Sequence, residues 1–199
     1  AYSVFANGGY RVAPYFIERI EDHRHQVVAK AQPRRAGEGA DRVIDPRNAF
    51  LMSNLLQEVV RSGTAARAMK LGRSDLAGKT GTTNDFVDAW FAGFQPSLVA
   101  VAWIGFDNPR SLGRNETGSQ AALPIWISYM GDVMKGVPEQ ALTPPPGLVA
   151  AQVDPMTGMR TAYGGVNEYF YQEFMPPEQL PEPPLSAGRP PDEVRNQLF

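Results

Sequence analysis

Cysteine is absent from all 199 residues, which excludes disulfide staples, thiol nucleophiles and cysteine-held metals. Histidine is scarce. The two present, His23 and His25, lie in "EDHRHQ" between two strand-like runs, a context that suits a turn rather than a ligand pair. Neither a metal nor a cofactor is expected. Long apolar runs are missing as well: "LVAVAWIGF", Leu98 to Phe106, is about half of the roughly 18 residues that a spanning helix needs. The opening "AYSVFANGGY" has no initiator Met, basic n-region or apolar h-region, so it carries no visible targeting signal and suggests a piece of something longer. Positive charge is not gathered anywhere. The 19 basic and 21 acidic residues leave a net charge of -2, and the adjacent Arg34 and Arg35 sit in a polar loop, so nucleic acid is not an expected partner.

What is present is ordinary for a folded globular chain, with 43% hydrophobic and 20% charged residues. "AYSVFANGG" reads as an apolar helix stopped by Gly8 and Gly9. "YRVAPYFIERIED" reads as a strand, placed at an edge by Pro14, with "QVVAKA" as its hairpin partner. The clearest helix is predicted from Pro46 to Arg61: Asp45 caps it, Pro46 fits its first position, and Ala49, Met52, Leu55, Leu56, Val59 and Val60 form the buried stripe. "TAARAMK" adds a short helical turn. Three strands follow, "AGKTGTT", "DAWFAGF" and "LVAVAWIGF", whose tight links make them antiparallel neighbours. "AALPIWISYMGDVMKG" then reads as a helix covering that sheet, with Trp126, Tyr129, Met130 and Val133 in the core. The expected class is α+β, an antiparallel sheet flanked by helices. Twelve of the 18 prolines fall at or after Pro138, so residues 137–199 read as a proline-rich extension of a body formed by 1–136. Within that extension "DPMTGMRTAYGG" looks like a turn feeding one short strand, and "LPEPPLSAGRPPDEV" a draped or mobile segment.

"LAGKTGTTND", Leu76 to Asp85, contains the chemistry. A phosphate-binding loop would need G-x-x-x-x-G-K-[ST] between a strand and a helix. Gly72 is one residue too far from Gly78, and a strand, not a helix, follows. As an extended segment, period two sends Thr80 and Thr82 to one side and Lys79, Gly81 and Thr83 to the other. Twin hydroxyls beside an ammonium suit the carboxylate end of an extended peptide, and bare Gly81 lets a second backbone approach. A backbone N–H of the same strand can stabilise an oxyanion. "KTG" alone is equally consistent with an exposed edge strand rich in Lys and Thr for solubility.

More than a tripeptide is present. "SGTAARA", "LAGKTGTTND", "VDAWFAGF", "VAWIGFDNP" and "ETGSQAALPIW" occur in the order and spacing of the transpeptidase domains of class A penicillin-binding proteins, which this chain resembles over about residues 1–175. The resemblance implies part of a serine β-lactamase/transpeptidase-like fold and a serine acyl-transfer enzyme with S-x-x-K, S-x-N and K-T-G motifs. It implies that Lys79 assists proton transfer and carboxylate binding, and that Thr80 and Thr82 hold the terminal carboxylate of a D-Ala-D-Ala stem peptide or a β-lactam. The Thr82 N–H would serve the oxyanion hole. Gly81 and Thr83 would line the same strand site, and Glu116, Thr117 and Gly118 the cleft rim, while Trp90 and Phe91 pack the sheet. None of the nine serines fits S-x-x-K or S-x-N. The resemblance therefore implies that the nucleophile and both missing motifs lie upstream, with a glycosyltransferase domain and an inner-membrane anchor, and that this chain is the carboxyl-terminal part of a periplasmic transpeptidase domain, inactive alone. A non-catalytic peptide-binding domain of the same fold is the alternative.

Overall fold

A computed structural model describes residues 1–179; the segment from Leu180 that the sequence suggests is draped or mobile lies outside the described residues. The chain divides into two compact units, one ending at Pro146 and one beginning at Gly147.

The first unit opens with α1 (Tyr2–Ala6), followed by β1 (Tyr10–Arg11), β2 (Arg19–Glu21), β3 (Val27–Lys30) and β4 (Asp41–Arg42). The single long strand expected from "YRVAPYFIERIED" is therefore two short ones. Its start, β1, pairs with β4 and its end, β2, pairs with β3. Pro14 sits between them, where its fixed φ and missing N–H break the ladder. The β2–β3 turn is closed by Asp22, whose Oδ1 accepts the N–H groups of Arg24 and Gln26 at 2.8 and 2.9 Å, and His25 takes positive φ in it.

Next comes α2 (Pro46–Arg61), with the bounds and cap its sequence predicts: the Asp45 side chain accepts the Arg47 N–H. Its buried face is rotated from the expected stripe. Phe50 and Ser53 are buried with Ala49, Leu56 and Val60, whereas Met52 and Leu55 are exposed. Ser53 tolerates burial because its hydroxyl donates to the Phe5 carbonyl at 3.2 Å. A short 3-10 turn, Ala66–Leu71, leads to the sheet.

That sheet has β5 (Ala77–Thr82), β6 (Ala89–Gln95) and β7 (Leu98–Ile104) as adjacent antiparallel strands, in the order β5-β6-β7. One face, carrying Phe91 and Ala102, packs under α3 (Leu123–Val133) and joins Val60, Leu123, Trp126, Ile127 and Met130 in the main core. Trp126 meets the Phe91 ring edge-to-face at 4.9 Å, and its indole N–H donates to the Ala100 carbonyl at 3.1 Å. Gly93 leaves the space that Trp126 fills. The α3 core is narrower than expected: Trp126 and Met130 are buried, but Tyr129 and Val133 point outward. On the other face, Ala77 and Phe94 pack with Leu56 of α2 and are flanked by Tyr2 and Phe5 of α1.

The second unit holds a hairpin of β8 (Leu148–Val153) and β9 (Val166–Tyr171), so two strands form where the sequence suggests one. The α+β class stands, with every pair of named strands antiparallel.

Candidate active site

Of the three sheet strands, β5 is an edge: among the described residues it pairs with β6 alone. The register sets which peptide groups face outward. Thr83 N–H donates to the Asp88 carbonyl at 3.1 Å, and Gly81 lies opposite Trp90 and Lys79 opposite Ala92. Because antiparallel bonding alternates, Lys79, Gly81 and Thr83 turn their peptide groups into the sheet, while those of Thr80 and Thr82 face the open edge. Consistent with that, the Thr80 carbonyl receives the Lys79 ammonium at 3.0 Å, and the same Nζ lies 3.4 Å from the Thr80 hydroxyl. No carboxylate pairs with Lys79 among the described residues. A cation, two hydroxyls and an unpaired strand edge thus meet at one exposed place.

The segment after β7 backs this strand. Gly118 begins a single π-helical turn, Gly118–Ala122, and its N–H donates to the Thr82 hydroxyl at 3.0 Å. The fit at Gly118 is tight: a Cβ there would strike the Trp90 carbonyl and lie 2.5 Å from that of Gly81. Gly81 is bare for a similar reason, since its own Cβ would meet Trp90 Cβ at 3.1 Å. Thr117 precedes Gly118 and bonds Ser119 side chain to side chain at 2.9 Å. Glu116 stands in the same loop, with no hydrogen bond to β5.

Thr83 closes the turn out of β5: its hydroxyl accepts the Asp88 N–H at 2.7 Å. Asp88 also receives the Trp103 indole N–H at 2.9 Å, and Trp103 packs 5.8 Å from Trp90 across the sheet. Phe91 is fully buried, whereas Trp90 is 41% exposed. Asp85 and Phe86, in the same turn, hold φ near +56° and +55°, a costly conformation for non-glycine residues.

One member of the cluster lacked a signal of its own in the sequence. The Thr64 hydroxyl lies 2.8 Å from that of Thr80, sixteen residues away. Arg67 follows it and reaches the Ser119 carbonyl at 3.4 Å and Gln120 Oε1 at 3.1 Å. Both belong to "SGTAARA", recognisable as a block but silent about which side chain faces the strand.

Residues 1–125 match the penicillin binding protein transpeptidase domain family, and the chain belongs to it. It is 49% identical over 175 residues to penicillin-binding protein 1A of Neisseria lactamica, covering 88% of this chain and 20% of that relative. With penicillin-binding protein 1A of Pseudomonas aeruginosa it shares 41% identity, over 94% of this chain and 28% of the relative. The crystal structure of penicillin-binding protein 1A from Haemophilus influenzae superposes with a TM-score of 0.84 at 35% identity, covering 90% of this chain and 32% of that one. The chain thus spans 20% to 28% of the length of these curated relatives.

Proposed function

We propose that this chain is one wall of the active site of a peptidoglycan D,D-transpeptidase that β-lactams acylate. The observation that carries the reading is the free β5 edge, where the outward peptide groups of Thr80 and Thr82 stand beside the Lys79 ammonium. A stem peptide ending in D-Ala-D-Ala pairs along that edge as an added strand. Its terminal carboxylate takes hydrogen bonds from the Thr80 and Thr82 hydroxyls, and Lys79 supplies the compensating charge. The outward Thr82 N–H is one donor to the oxyanion that forms at the penultimate D-Ala carbonyl. Gly81 and Thr83 keep the strand in register, and Glu116, Thr117 and Gly118 form the rim behind it.

The nucleophile is a serine in a part of the protein outside these 199 residues, with its lysine and the S-x-N serine. That serine's oxygen adds to the penultimate D-Ala carbonyl, the amine of the terminal D-Ala departs with a proton, and the acyl group then passes to an amine of a neighbouring stem peptide, regenerating the hydroxyl. The complete protein works in the periplasm, held to the inner membrane by a segment outside this chain; no helix among the described residues is long and apolar enough to cross a membrane. Peptidoglycan stem peptides and β-lactams are its partners, and no nucleic acid or cofactor takes part.

The test is covalent labelling. Fluorescent penicillin should acylate the complete protein, and peptide mapping should place the label outside residues 1–199. Label on any serine of this chain overturns the reading. Lys79→Ala should slow acylation by about ten- to a hundredfold, the range for losing a hydrogen bond to a charged partner; unchanged kinetics remove Lys79 from the mechanism.

A further inference from the structure

We propose that Thr64 is a positioning residue that commits the Thr80 hydroxyl to the acyl donor's carboxylate; this rests on the reading that Thr80 holds that carboxylate. A threonine hydroxyl has one hydrogen to give and two lone pairs that accept. Thr80 can donate to an incoming anion only if its other neighbours leave its proton unclaimed. Lys79 Nζ, 3.4 Å away, is purely a donor and satisfies that condition. Thr64, at 2.8 Å, can act either way in the free site. With the anion bound, Thr80 spends its proton outward and Thr64 donates into the Thr80 lone pair.

Thr82 is already arranged in this manner. The Gly118 N–H, which can only donate, fills a lone pair on its hydroxyl and leaves its proton for the ligand. Thr64 performs for Thr80 what a backbone amide performs for Thr82. The two supports are joined. Arg67, three residues after Thr64, is bonded to Ser119 and Gln120, which follow directly on Gly118. Hydrogen bonds and short stretches of chain thus run from Thr80 through Thr64, Arg67 and Ser119 to Gly118 and Thr82.

The backbone holds Thr64 in place independently of its hydroxyl. Ala65 and Ala68 are completely buried, and the Ala65 N–H donates to the Val59 carbonyl at 3.1 Å. Gly63 lies so close over α2 that a Cβ there would be 2.9 Å from Val59 Cα. Thr64 itself is exposed, so replacing it changes a hydrogen bond and not the core.

The experiment uses the complete protein, with acylation by a labelled penicillin resolved into the dissociation constant of the initial complex and the acylation rate constant. Its comparison ligand is the methyl ester of the same penicillin, which lacks the anion. Thr64→Val should weaken the initial complex with the acid about three- to tenfold, the worth of one neutral hydrogen bond, with little change in the acylation rate constant. Thr64→Ser should restore it. The penalty should vanish for the ester and in a Thr80→Val background. A penalty equal for acid and ester, one that persists without the Thr80 hydroxyl, or wild-type binding by Thr64→Val overturns the positioning role. If instead Thr80→Val leaves the preference for acid over ester intact, the carboxylate assignment of Thr80 fails, and the role of Thr64 falls with it.

Discussion

At the residue scale the site depends on positions that tolerate nothing larger. Gly118 touches the Trp90 and Gly81 carbonyls so closely that Gly118→Ala must push the π turn off β5. We expect it to cost about 1–3 kcal/mol, as overpacking does, and to lower penicillin acylation because the N–H support for Thr82 moves with it. Thermal melting and acylation kinetics on the complete protein check both. An alanine variant with unchanged melting would mean that the strand and turn separate freely. The residues of this site were unequally legible in the sequence. Lys79, Thr80 and Thr82 lie together in one strand, where period two assigns their sides directly. Gly81 and Gly118 are plain in the string, but what crowds them is the carbonyl or side chain of another element. Thr64 is separated from Thr80 by a helical turn and a loop, and no local periodicity reports a side-chain contact across sixteen positions.

Elements are more legible in the sequence than the faces they bury. Asp45 and Pro46 mark the start of α2 because capping is a local event, settled within three residues. Its inward face is not local. Within these residues Phe50 and Ser53 face inward, where the serine hydroxyl donates to the Phe5 carbonyl of α1, while Met52 and Leu55 are left exposed. The same limit applies at Tyr129 and Val133 of α3. A polar clamp before β5 was also invisible in the string. Asp75, about 1% exposed, binds Arg73 through two hydrogen bonds of 2.9 and 2.7 Å and accepts the Gln140 N–H; Arg73 also caps the Val137 carbonyl. The Asp75 carboxylate holds the guanidinium pKa above its usual range, chiefly through that hydrogen bonding. Asp75→Ala leaves a partly buried guanidinium without its main anion and should cost about 1–3 kcal/mol. Pairing it with Arg73→Met should recover part of the loss, and equal melting of the single and double variants would count against the ion pair as the cause.

At the scale of the whole molecule, the division at Gly147 falls later than the shift in composition near Gly136, because residues 137–140 are bound back to the loop before β5. Glu139 is part of that attachment: its carboxylate accepts the Ser74 N–H at 2.9 Å and hydroxyl at 2.6 Å, which lowers its pKa from the ordinary 4.5, the side-chain bond contributing most. A depressed folded-state pKa means that stabilisation is complete above about 4.5 and drains away as pH falls through the lower folded value. The difference in melting between wild type and Glu139→Ala should therefore shrink on acidification below that point; a difference that grows instead would refute the assignment. Both apolar clusters and every site residue lie before Gly147. The β8–β9 hairpin closes its own hydrogen bonds, with Arg160 Nε donating to the Pro176 carbonyl at 2.9 Å and the Arg160 N–H to that of Pro177 at 2.8 Å. Ending the complete protein at Pro146 keeps both clusters and every site residue and should consequently leave penicillin acylation within about twofold of wild type, the scale of changes away from a site. A large loss in that truncation would show that the second unit supports the site despite supplying none of its residues.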